Sequence, residues 1–87
     1  MKINKVASAG TLESNDILIM VAPNEEDKID ILLDSIVIKQ FGEEIKAVIM
    51  EKLMELGVTA VKLKAQDKGA LNYTIRARVE AACKRGE

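Results

Sequence analysis

The sequence predicts an α+β domain, a four-stranded, mostly antiparallel sheet with two helices packed on one face, in the order β-β-β-α-β-α. Three observations predict it. The first half holds three β-tolerant stretches parted by polar turns, Ile3–Leu12, Ile17–Ala22 and Ile29–Ile38. Gln40–Gly57 has its apolar residues at helical spacing. An alternating run, Val58–Ala65, then separates that helix from a second one over about Ala70–Lys84. Strands that crowd into the first half, with few helices, argue for α+β rather than for regular strand–helix alternation. At 87 residues the chain is expected to form one domain, residues 1–87.

Each element has its own justification. In the first stretch Ala7, Ser8, Ala9 and Gly10 are small, which suits a closely packed strand or one bent at Gly10. Glu13-Ser14-Asn15-Asp16 is made of turn formers, so it joins the first two strands as a hairpin with Ser14 at the tip. Ile17 to Ala22 is unbroken and apolar, the pattern of a strand covered on both faces, or partly so. After the loop Pro23–Lys28, the third strand sets Asp30, Leu32 and Asp34 on one face and Ile29, Ile31, Leu33 and Val37 on the other. The first helix gathers Phe41, Ile45, Val48, Ile49, Leu53 and Leu56 into one stripe and stops at Gly57. Lys52 falls within that stripe, where its stem must pack while its ammonium escapes. In the fourth strand Val61 and Leu63 alternate with Lys62 and Lys64, so one face is wet. Asp67 is placed to cap the last helix, whose buried stripe is Leu71, Ile75, Val79 and Ala82, with Ala77 and Ala81 allowing close approach. Glu80 and Lys84 form a favourably oriented i,i+4 pair.

Composition narrows the chemistry. The chain has no histidine, which removes Ser-His-Asp and Cys-His nucleophilic sites and most zinc sites. Thirteen basic residues against 14 acidic ones give a net charge of −1, so nothing favours nucleic acid, which wants a basic face. One Tyr and one Phe, with no Trp, leave little for stacking bases along a strand. Lone Cys83 cannot form an internal disulfide, which points to a reducing, cytoplasmic setting. No apolar run approaches the ~20 residues a membrane helix needs, so no membrane contact is expected.

Two serines stand out. Ser35 lies in Asp34-Ser35-Ile36, which resembles the Asp-Ser-Leu attachment motif of fatty-acid-type acyl carrier proteins. Those carriers are acidic helical bundles, whereas Ser35 sits in a β-branched run and reads as a plain strand residue. Ser14 is a hydroxyl on a turn flanked by Glu13 and Asp16. It has no base nearby to activate it, so alone it either bonds turn backbone or serves as a site that another enzyme modifies.

The surrounding residues weigh on that choice. Ala9-Gly10-Thr11-Leu12-Glu13-Ser14 followed by Asp16, Lys39-Gln40-Phe41-Gly42, Asp67-Lys68-Gly69-Ala70-Leu71 and Ile75-Arg76-Ala77-Arg78-Val79-Glu80-Ala81 span most of the chain in order. Together they resemble the acyl carrier (gamma) subunit family of citrate lyase, more closely than the related malonate decarboxylase carrier. A further alternative is a non-enzymatic α+β interaction module. The resemblance implies a carrier that is not itself catalytic. It implies that Ser14 is the covalent attachment point for 2′-(5″-phosphoribosyl)-3′-dephospho-CoA, joined through a phosphodiester. It also implies as partners the alpha and beta subunits of citrate lyase and a prosthetic-group transferase. No catalytic or metal-binding residue is expected. Two surfaces could meet those partners. Ala47, Met50 and Met54 form a second apolar patch on the first helix, and Arg76, Arg78, Lys84 and Arg85 make the last helix basic. Cys83 reads as a small helix residue with no redox role.

Overall fold

The computed structural model describes all residues, 1–87. Its elements are β1 (Ala7–Ala9), β2 (Ile17–Ala22), β3 (Ile29–Ser35), α1 (Ile38–Glu55), β4 (Val61–Asp67) and α2 (Asn72–Gly86). The sheet order is β1-β2-β4-β3. β1 pairs antiparallel with β2, and β2 antiparallel with β4. β3 pairs with β4 in parallel, from Ile29 opposite Val61 to Ser35 opposite Asp67. The sheet is therefore mixed, with one parallel pair. That pair follows from α1, because parallel neighbours need a long crossover and a helix supplies it.

Both helices lie on the same side. Ile17, Ile19 and Val21 of β2 and Val61, Leu63 and Ala65 of β4 face them, and all are buried. They meet Ile45, Val48, Ile49 and Leu53 from α1 and Ile75, Val79, Ala82 and Cys83 from α2 in one core. The opposite face shows the alternation expected from sequence, with Lys62 and Lys64 in β4 and Asp30, Leu32 and Asp34 in β3 exposed. Lys52 behaves as its stem requires. Its side chain is largely covered while Nζ sits 2.7 Å from Glu55 Oε2 and 2.8 Å from Glu80 Oε1. The ammonium thus ties α1 to α2, and those carboxylates, Glu55 first and then Glu80, raise its pKa.

Several boundaries differ from expectation, each for a local reason. The first strand is only Ala7–Ala9, because the Asn4 and Lys5 N–H groups donate to the Gly86 carbonyl at 2.8 and 3.1 Å. Those residues therefore run over the end of α2 instead of joining the sheet. β3 stops at Ser35, whose hydroxyl accepts the Val37 N–H at 3.1 Å and turns the chain into α1. α1 closes with a Schellman arrangement. Gly57, at φ +73°, donates to Met54, and Val58 donates to Leu53. Val58 is spent on that cap, so β4 starts later, at Val61, and runs on to Asp67 beside β3.

Two residues expected in buried stripes are elsewhere, and one expected at a close approach is not there. Phe41 is 49% exposed and Leu71 59% exposed. Each sits at the start of its helix, beyond the last sheet residue available to cover it. Ala77 lies on the outer face of α2 and is exposed, so it permits no close approach. Asp67 does not cap α2 either. Its Oδ1 accepts the Ala70 N–H at 2.9 Å, and Leu71 holds the capping position without a side-chain bond.

Candidate functional site

The segment that joins β1 to β2 is shaped by Gly10. Its φ is +96°, and a Cβ there would lie 1.8 Å from the Ile17 carbonyl oxygen. Only glycine permits the chain to leave β1 this close to the start of β2. Asp16 closes the far side of the loop. Its Oδ2 accepts the Thr11 hydroxyl at 2.7 Å, and its Oδ1 accepts the Ile17 N–H at 2.8 Å. Arg78 of α2 donates to both oxygens, Nε to Oδ1 and Nη2 to Oδ2, at 3.0 Å each. This paired geometry is a strong form of charge-assisted hydrogen bond. Arg78 first, then the Thr11 and Ile17 donors, hold the carboxyl pKa down to about 2 against the opposing effect of burial.

A second clamp comes from the β4–α2 turn. The Asn15 N–H donates to the Lys68 carbonyl at 2.8 Å, and the Lys68 N–H donates to the Asp16 carbonyl at 2.9 Å. Asn15 takes the left-handed conformation, φ +66°, which asparagine tolerates better than most residues. Thr11 Oγ1 accepts the Glu13 N–H at 3.2 Å, and the Glu13 carbonyl accepts the Asp16 N–H at 3.2 Å. Ser14 is left at the apex, exposed, with both flanks fixed and its own hydroxyl unengaged. Residues 11–15 are all exposed, and the segment is held by bonds at Thr11, Glu13, Asn15 and Asp16.

The competing serine is accounted for. Ser35 is buried and donates its hydroxyl hydrogen to Asp67 Oδ2 at 2.7 Å. Its oxygen is occupied by Val37 as well, so it is a hinge of the fold and is inaccessible. Cys83 is fully buried, and burial pushes its thiol up to about 11, far from a reactive thiolate at neutral pH. Of the basic residues on α2, Arg78 is paired with Asp16, Lys84 with Glu80, and Arg85 donates to the Ser8 carbonyl at 2.8 Å. Arg76 forms no such bond. The Ala47, Met50 and Met54 patch lies on the outer face of α1, with Met54 70% exposed.

Sequence reasoning singles out Ser14 as a candidate and misses the bonds that hold its loop. Asp16 and Arg78 are 62 positions apart and Asn15 and Lys68 are 53 apart, so no local pattern links either pair. The Asp67-Lys68-Gly69-Ala70-Leu71 stretch, noted for its family resemblance, forms the turn between β4 and α2. That turn is the piece on which the loop rests.

Comparison with known proteins gives the family of the chain. Residues 4–86 match a family model described as "ACP: Malonate decarboxylase delta subunit (MdcD)". The class is thus a small acyl carrier protein, a subunit that carries rather than catalyses. Citrate lyase acyl carrier proteins of Haemophilus influenzae and Streptococcus pyogenes are 52% and 53% identical to this chain over 85 residues. Each alignment covers 98% of this chain, and 87% and 83% of the respective relatives. The chain belongs to the citrate lyase acyl carrier protein family. A chain in the crystal structure of a Pseudomonas malonate decarboxylase hetero-tetramer in complex with malonate superposes with a TM-score of 0.83. It covers 98% of this chain and 87% of that one at 22% identity, a likeness of fold.

Proposed function

We propose that this chain is the acyl carrier of a citrate lyase and that Ser14 is its attachment residue, bearing 2′-(5″-phosphoribosyl)-3′-dephospho-CoA through a phosphodiester. The observation that supports this most is the Ser14 loop, with its exposed, unengaged hydroxyl on a segment fastened at Asn15 and Asp16. The residues present suit a bulky anionic group. Nothing shields the hydroxyl, and Lys68, beside the loop, is in no ion pair. Bound there, such a group supplies a terminal thiol that holds acyl groups as thioesters. The chain needs no catalytic side chain for this, which fits a protein without histidine and with its one cysteine buried.

The chain's own residues present and restrain. The Arg78–Asp16 pair and the Lys68 backbone fix where the attachment point projects, so the tether swings from a defined origin. A short flexible tether keeps its end at an effective concentration on the order of mM near each partner site. The partners in this reading are the alpha and beta subunits of citrate lyase, which perform acyl exchange and citryl cleavage to oxaloacetate, and the transferase that loads Ser14. A cytoplasmic location is supported by a lone free thiol in a chain without disulfides. Separately, no helix is long and apolar enough to cross a membrane.

Co-production with a matching transferase tests the assignment. The protein should gain the mass of the group, Ser14→Ala should not, and Ser35→Ala should still gain it. Reconstituted with the two larger subunits, Ser14→Ala should support no citrate cleavage. Loading of Ser14→Ala would refute the reading.

A further inference from the structure

The chain has one phenylalanine and one tyrosine and no tryptophan, and neither aromatic is in the core. Phe41 is 49% exposed and Tyr73 70% exposed. They lie on different helices, yet they line one cleft of about 610 Å³ between the first turns of α1 and α2. That volume is within the usual range for small-molecule sites, ~300–1,000 Å³. Leu71 and Glu44 also line the cleft, as does Arg76, which is in no ion pair. The carboxylate of Asp67, also on the wall, is already engaged by the Ser35 hydroxyl and the Ala70 N–H.

The cleft opens beside the Ser14 loop. Gly69 lines it, and a Cβ on Gly69 would lie 3.7 Å from Asn15 Oδ1, the residue next to Ser14. The same turn supplies Lys68, whose backbone is bonded to both Asn15 and Asp16. An anionic nucleotide tethered at Ser14 would therefore have one unpaired cation, Arg76, and two aromatic side chains in the neighbouring cleft, with unpaired Lys68 on the adjoining turn.

We propose that this cleft is the resting site of the nucleotide end of the Ser14-linked arm, with its base against Phe41 and Tyr73 and its phosphates toward Lys68 and Arg76. The proposal rests on the reading of Ser14 as the attachment residue. Aromatic side chains suit any base by stacking, and Glu44 offers an acceptor for an exocyclic amine. Docking the nucleotide would shorten the free part of the tether to its pantetheine end and fix the direction in which it leaves the protein.

Amide spectra of isotope-labelled apo- and holo-protein test this, with loading at Ser14 verified by mass. Holo-protein should differ from apo-protein at Phe41, Gly69, Leu71, Tyr73 and Arg76 as well as at the loop. Emission from Tyr73, the only tyrosine, should fall roughly two-fold as a base stacks on it. Phe41→Ser and Tyr73→Ser, both at exposed positions, should each reduce the cleft differences and leave those at the loop. Differences confined to residues 12–17 in protein loaded at Ser14 would overturn the proposal and leave the attachment reading standing. An adduct on another residue would overturn both. Variants that keep the nucleotide-dependent differences but bind the larger subunits less well would assign the cleft to subunit docking, and would also overturn it.

Discussion

Asp16 is where the electrostatics of the loop concentrate. Its pKa is about 2 in the folded chain against an ordinary 3.8, so ionisation and folding are linked. The folded value is the lower one. The stabilisation is therefore complete above about pH 4 and is lost as pH falls through 2. A shift of this size corresponds to about 2 kcal/mol, and solvent around the 40%-exposed Arg78 side chain reduces that to about 1 kcal/mol. Asp16→Asn should thus unfold more easily by about 1 kcal/mol at pH 7, with the gap closing toward pH 2. Denaturant titrations at the two pH values check both the size and the sign. Gly10 makes a steric prediction at the other end of the loop. Gly10→Ala would force a Cβ against the Ile17 carbonyl at a positive φ, so it should cost at least about 2 kcal/mol. A melting temperature equal to that of the parent would show that the loop can leave β1 by another path.

Elements whose pattern is local were readable in the sequence, and those set by distant partners were not. β2 matched residue for residue because its apolar run is too short for a helix, is rich in β-branched residues and is bounded by turn formers. The α1 stripe held from Ile45 to Leu53, where the sheet lies beneath it, and failed at Phe41, where it does not. The turn around Ser14 was legible from its residues and the choice of Ser14 rested on the family resemblance, while Arg78 and Lys68 reach Asp16 and Asn15 only through the tertiary fold. From its sequence β3 is expected to exchange slowly, yet insertion of β4 beside β2 leaves β3 at the sheet edge. Slowest amide exchange is therefore expected in β4, which is paired on both sides, and faster exchange in β3. Exchange mapped residue by residue checks this, with Glu13 and Ser14, which have no backbone acceptor, the fastest of all. In the core, Leu53→Ala removes a fully buried side chain shared by α1 and the sheet. It should cost about 3 kcal/mol in equilibrium unfolding.

The whole molecule is a compact base that carries Ser14 exposed on a fastened loop. Its charges nearly balance, and its only thiol is sealed in the core with a pKa of about 11. Apo-protein should therefore react slowly with thiol reagents at pH 7 and quickly once unfolded, whereas loaded protein should show one fast thiol in the native state. The lack of histidine, first a list of excluded chemistries, fits a subunit whose reactive group is added after folding. Fragment mapping of the loaded protein locates the group proposed for Ser14. Trypsin releases Val6–Lys28, which holds Ser8, Thr11 and Ser14, and Ile29–Lys39, which holds Ser35. Fragment ions should place the whole added mass on Ser14. The same mass on Ser8, Thr11 or Ser35 would contradict the account.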